Sequence, residues 1–87
     1  MNQLQAYVET NGPHLTVDGR QLTFCGLSSD ADLAVATFTT ARASYTGVMC
    51  PLATLHQRPG AEVWAVVGGR RTIAKFALHA GELVPLR

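Results

Sequence analysis

Eighty-seven residues with net charge +1, of which 47% are hydrophobic and 15% charged, are enough for one folded domain (1–87) and too few for two. That composition excludes general disorder, and the small basic excess argues against a dedicated nucleic-acid binder, which carries a larger one. No run approaches the ~20 apolar residues of a membrane span, and Met1-Asn2-Gln3-Leu4-Gln5 lacks a basic, then apolar, leader, so no membrane partner and a cytoplasmic location are expected.

Leu4-Gln5-Ala6-Tyr7-Val8-Glu9 alternates weakly and runs into Thr10-Asn11-Gly12-Pro13, which predicts a first strand ending in a chain reversal. His14 to Val17, Asp18-Gly19 and Arg20 to Cys25 then read as a hairpin, because Asp-Gly between alternating β-formers suits a two-residue primed turn. Period-2 alternation puts Leu15 and Val17 on one face with Leu22 and Phe24 opposite them, and leaves Thr16, Arg20 and Thr23 toward solvent. Ser28-Ser29-Asp30-Ala31-Asp32 resembles a helix start, with a serine cap and two carboxylates at the positive end of the dipole, and Gly47 supplies a stop. At 100° per residue Ala31, Ala34, Val35, Phe38, Ala41 and Tyr45 fall on one stripe, so an amphipathic helix is predicted over about 29–46, with Leu33 on its exposed side. Thr37, Thr39 and Thr40 work against it, so packing rather than propensity would have to hold this helix.

Val48-Met49-Cys50 meets Pro51, which suits an edge strand or loop. Leu52 to Leu55 is ambiguous, and Gln57-Arg58-Pro59-Gly60 is a turn. Val63 to Leu78 is the strongest signal: two apolar runs joined by Gly68-Gly69, read as a β-hairpin with Arg70 and Arg71 at its tip. Residues 72–80 also fit helical spacing through Ile73, Phe76, Ala77 and Ala80, and the preceding turn favours strand. After His79-Ala80-Gly81, residues 82–86 return as a short edge strand. The fold class expected is therefore α+β: a curved antiparallel sheet of about five to seven hairpin-rich strands with one helix on one face, in the order βββα then ββ(β).

The chemistry is sparse. Arg58, Arg70, Arg71 and Lys75 form the candidate partner-binding set, since guanidinium groups engage carboxylates and phosphates alike, although turn arginines also serve simply as solvated surface. The half of the chain up to Ser44 carries −2 and the remainder +3, a separation able to orient the domain on a charged partner. Cys25, Cys50, His14, His56 and His79 lack metal-ligand spacing, so neither metal nor cofactor is expected, and Cys25 and Cys50 read as reduced thiols. Cys25, placed just before the predicted helix, and Cys50 are the candidate thiol nucleophiles, against the commoner role of core filler. Asp30 and Asp32 point to different helix faces and make no carboxylate pair. Trp64 and Tyr7 belong in a core before they belong in an interface.

The function expected is a non-enzymatic protein-binding module or small inhibitor, acting through an apolar sheet surface and the basic hairpin on an unidentified protein partner, with homodimerisation as a linked expectation. The alternatives are a nucleic-acid-binding regulator using the same turn and, behind it, a small thiol enzyme. A compact domain of this kind would suit a phage or another mobile element.

Overall fold

The chain opens with a helix, not a strand. A computed structural model describes residues 3–30, 33–50 and 59–86. It shows α1 (Gln3–Asn11) followed by β1 (His14–Val17), β2 (Arg20–Asp30), β3 (Leu33–Thr39), β4 (Ser44–Met49), β5 (Glu62–Gly68), β6 (Arg71–His79) and β7 (Glu82–Pro85). All seven strands form one antiparallel sheet in sequence order, each paired with its neighbours in the chain. The sheet curls until β1 comes against β6 and β7, which makes it nearly barrel-shaped. The expected class, a strand-rich α+β domain with a single helix, holds. The order βββα then ββ(β) is replaced by one helix and then seven strands. Among the described residues no helix is long and apolar enough to cross a membrane.

Alternation explains the curl. One face carries Leu15 and Val17, Leu22 and Phe24, Ala36 and Phe38, Trp64 and Val66, and Ala74, Phe76 and Leu78, which gather into one buried cluster, while Thr16, Thr37 and Thr46 face water. Phe38 sits at the centre: its ring meets Phe24 edge-on at 5.8 Å from the paired strand and Phe76 at 6.4 Å from β6 across the interior. Two bulges add twist. Cys25 is the extra residue between the pairs Phe24↔Phe38 and Gly26↔Thr37, and Ile73 the extra residue between Ala74↔Val66 and Thr72↔Val67.

The helix expected over about 29–46 is replaced by the end of β2, all of β3 and the start of β4. Ala36 and Phe38 point inward and Thr37 outward, so a period of 2 overrides the 3.6-residue stripe, and the β-branched threonines that lowered helix propensity are at home in a strand. Gly47 ends no helix. It lies on the inner face with the Phe38 ring against it, so tightly that an added Cβ would collide with the ring, and Gly68 holds the Tyr45 ring in the same way, at 2.5 Å from such a Cβ. Both glycines are flat seats for aromatic rings from the neighbouring strand.

The strand expected over residues 4–9 is α1. Leu4 is fully buried in the cluster, with Tyr7 and Val8 packed beside it, which is the i, i+3, i+4 face of a helix. The Glu62 carboxylate accepts the Gln3 N–H at 2.8 Å and the Trp64 indole N–H at 3.3 Å, tying the free start of the helix to β5. Gly12, at φ 91°, ends it by donating to the Val8 carbonyl at 2.8 Å, and Phe24 N–H then bonds the Pro13 carbonyl at 2.7 Å to start the sheet.

The hairpin signals stand. Asp18-Gly19 turns with φ 52° and 80°, both positive as a type I′ turn requires, and Leu15, Val17 and Leu22 are buried as alternation demands. Residues 72–80 are strand, within β6, and the returning edge strand is β7. In the β5–β6 hairpin Gly68 pairs with Arg71, so the two loop residues are Gly69, at φ 60°, and Arg70, one residue later than the glycine pair itself. The Pro51 and Leu52–Leu55 readings lie outside the described residues.

Two predictions follow from backbone and ring contacts. Gly47→Ala and Gly68→Ala each lower the unfolding free energy by about 1–3 kcal/mol, the usual cost of overpacking, and pairing Gly47→Ala with Phe38→Leu returns part of that loss in a double-mutant cycle read from urea midpoints. Ala80, a side-chain-bearing residue held at φ 52° in the β6–β7 turn, is strained, so Ala80→Gly raises stability by about 1 kcal/mol and the melting temperature by several degrees in a calorimetric scan.

Candidate functional site

In an antiparallel meander alternate connections emerge at the same end. The β1–β2 turn, the 40–43 loop between β3 and β4, and the Gly69-Arg70 turn therefore stand side by side. They bring Arg20, Arg42, Arg70 and Arg71 together, all exposed, although these residues are spread over fifty positions of sequence. Asp18 is the one carboxylate at this end among the described residues. Glu62 and Glu82 stand at the opposite end, beside the β6–β7 turn. The charges of the described residues are thus polarised along the strand direction.

The loop carrying Arg42 is built rather than slack. Thr40 N–H donates to the Ala43 carbonyl at 2.9 Å, and the Thr40 hydroxyl accepts the Arg42 and Ala43 N–H groups at 3.2 and 3.3 Å. Beside it, Arg20, Gln21, Thr40, Ala41, Arg42 and Tyr45 line an open groove of about 420 Å³. A second, smaller cavity of about 130 Å³ lies where the β1–β2 turn meets β6, and is lined by Val17, Asp18, Arg20, Ile73, Ala74, Lys75 and Leu86.

Of the residues expected from sequence, Arg70 and Arg71 occupy the hairpin tip, and Lys75, half-buried on β6, lines the smaller cavity away from them. Arg58 lies outside the described residues. Arg20, Arg42 and Asp18 were not singled out as site residues. The available signal was that each lies in or next to a hairpin turn, which only the strand order converts into proximity.

The helix-dipole argument for a reactive Cys25 thiol falls away. Residues 26–30 continue β2, so no helix dipole follows Cys25. Cys25 sits exposed at the bulge with its Sγ 3.5 Å from the Thr23 carbonyl and from the Thr39 hydroxyl, and the Cys50 thiol is half-buried and donates to the Val48 carbonyl at 3.7 Å. His14 bonds Thr23, and His79 bonds the Pro59 carbonyl. Among the described residues no three His, Cys, Asp or Glu side chains gather as metal ligands would.

The apolar face of the sheet is filled by the chain's own core. Leu27 on β2 and Val84 on β7, at 37% and 47% exposure, are the exposed large hydrophobic residues among those described. The chain matches no protein-family model, no curated protein and no solved structure at a significant level.

Because the arginines stand at solvent-exposed turns outside the packed cluster, Arg70→Glu/Arg71→Glu and Arg20→Glu/Arg42→Glu change the unfolding free energy by no more than about 0.5 kcal/mol per substitution in urea denaturation.

Proposed function

We propose that the domain is a non-enzymatic binding module whose arginine-bearing end docks on an acidic protein surface. The observation that carries this reading is the convergence of four exposed arginines from three hairpin turns, against one carboxylate. Guanidinium groups on tight turns lose little freedom on binding and pair bidentately with carboxylates, so such an end steers association and fixes orientation. With the sheet's inner face closed on itself, the charged end takes the leading role that an apolar sheet surface was expected to share.

Nucleic acid is the competing anion. A single strand calls for successive exposed aromatic platforms, whereas Trp64, Phe38 and Phe76 are fully buried, Phe24 lies against the core, and Tyr45, the aromatic residue lining the groove beside Arg20 and Arg42, is half-buried with its ring against Gly68. Duplex DNA needs phosphate contacts alone for weak binding, so a direct comparison of affinity for the two polyanions separates the readings.

Fluorescence anisotropy with a labelled glutamate-rich peptide and a labelled random-sequence duplex tests the proposal. The expected result is saturable peptide binding that falls about tenfold or more in Arg70→Glu/Arg71→Glu and again in Arg20→Glu/Arg42→Glu. Tighter binding to the duplex, with a salt slope of several released counterions, replaces the reading with nucleic-acid recognition; binding to neither probe overturns both.

A further inference from the structure

We infer that the small cavity at the seam of the sheet is a socket for one compact carboxylate group. The inference stands apart from the acidic-surface reading, because a small acid can fill the socket whether or not a protein docks at the same end. Three features of the cavity carry it.

The first is charge. Among its lining residues Arg20 and Lys75 are cationic and Asp18 anionic, so the formal charge around the cavity is one positive unit to be met. A monovalent oxyanion neutralises the set, whereas a divalent one such as phosphate overshoots it beside the Asp18 carboxylate. The guanidinium fork supplies paired donors suited to a planar carboxylate, and the lysine adds a point charge.

The second is size and lining. At about 130 Å³ the space is well below the ~300–1,000 Å³ of pockets that hold drug-sized ligands, so it admits a headgroup with a short stem. Its exposed lining is mostly polar, as suits a charged headgroup, and Val17, Ile73 and Leu86 supply the smaller apolar share.

The third is that the walls are fixed by the fold. Val17 is buried and pairs with Arg20 across the Asp18-Gly19 turn, which holds Asp18 and Arg20 beside one another. Ile73 is the bulged residue of β6, and Leu86 N–H donates to the Lys75 carbonyl at 2.8 Å, pinning the chain after β7 against the same strand. Arg20 and Lys75, far apart in sequence, are brought to one cavity by closure of the sheet, so the pairing exists only in the folded domain.

Titration of the ¹⁵N-labelled protein with propionate, followed by its amide resonances, tests this. The expected result is a saturable shift confined to residues 17–20, 73–75 and 86, with a midpoint of about 1–10 mM, within reach of so small a ligand. Lys75→Met, which keeps the aliphatic stem, and Arg20→Gln, at an exposed position, each raise that midpoint about tenfold or more, while Arg42→Gln leaves it unchanged. Inorganic phosphate at pH 8 binds more weakly than propionate, and Asp18→Asn, which tolerates the positive φ of the turn, reverses that preference. Shifts that do not saturate by about 100 mM, that spread equally to residues 42, 70 and 71, or that are indifferent to both Arg20→Gln and Lys75→Met overturn the inference. A blocked glutamate tripeptide distinguishes the source: competition with propionate for the same amides assigns the socket to a carboxylate presented by a protein, and failure to compete assigns it to a free short-chain acid.

Discussion

One helix of nine residues cannot cover the apolar face of a seven-stranded sheet, so the sheet must cover itself, and the rest of the structure follows from that requirement. Curling brings Phe38 on β3 within reach of Phe76 on β6 and places Trp64 and Val66 in the same interior. The curl is permitted by what is missing from the inner face at Gly47 and Gly68. Side chains there would hold the Phe38 and Tyr45 rings off the sheet, and the glycines let those rings lie down on the next strand. The helix closes what the strands leave open, with Leu4 as its anchor and Glu62 as its tether.

Much of this architecture was legible where the signal was a turn. Asp18-Gly19 and the Gly68 to Arg71 region declare hairpins locally, because positive φ angles restrict which residues can stand there. The helix was misplaced for a physical reason that can be stated residue by residue. Alanine is tolerated in both kinds of element, so Ala31, Ala34 and Ala41 completed a helical stripe without arguing for one, while the alternation Ala36, Thr37, Phe38 was present in the same letters. Conversely Leu4, Tyr7 and Val8 fit a helix face, and Leu4, Ala6 and Val8 fit a strand face, in a segment too short for either period to dominate. Burial against Trp64 and β6 decided it, and that contact is invisible to any local window.

The site was legible by halves. A linear charge count gave the second half of the chain the positive sign, yet the positive end of the folded domain takes Arg20 and Arg42 from the first half. Segments were the wrong unit of account, because a meander sorts residues by whether they stand near odd or even connections, not by which half they come from. Arg70 and Arg71 were found because their own hairpin announces itself. Lys75 was grouped with them by proximity in sequence, but four residues along a strand is far enough to move it from the tip to the seam, beside Arg20.

The strictly sequential strand order has a kinetic meaning as well. All six strand pairings join neighbours in the chain, so most of the sheet carries a small loop-closure cost, and the contacts that join distant parts of the chain are the approach of β1 to β6 and β7 and the docking of α1 on β5 and β6. Opening the seam breaks contacts between the edge strands and leaves all six strand pairings intact, which makes it a local opening distinct from unfolding of the sheet. The seam is also where the small cavity lies. An occupant there, bound to the closed form alone, would disfavour that opening by a factor of one plus the ratio of its free concentration to its Kd, coupling a local event at Arg20 and Lys75 to the persistence of the whole curled sheet.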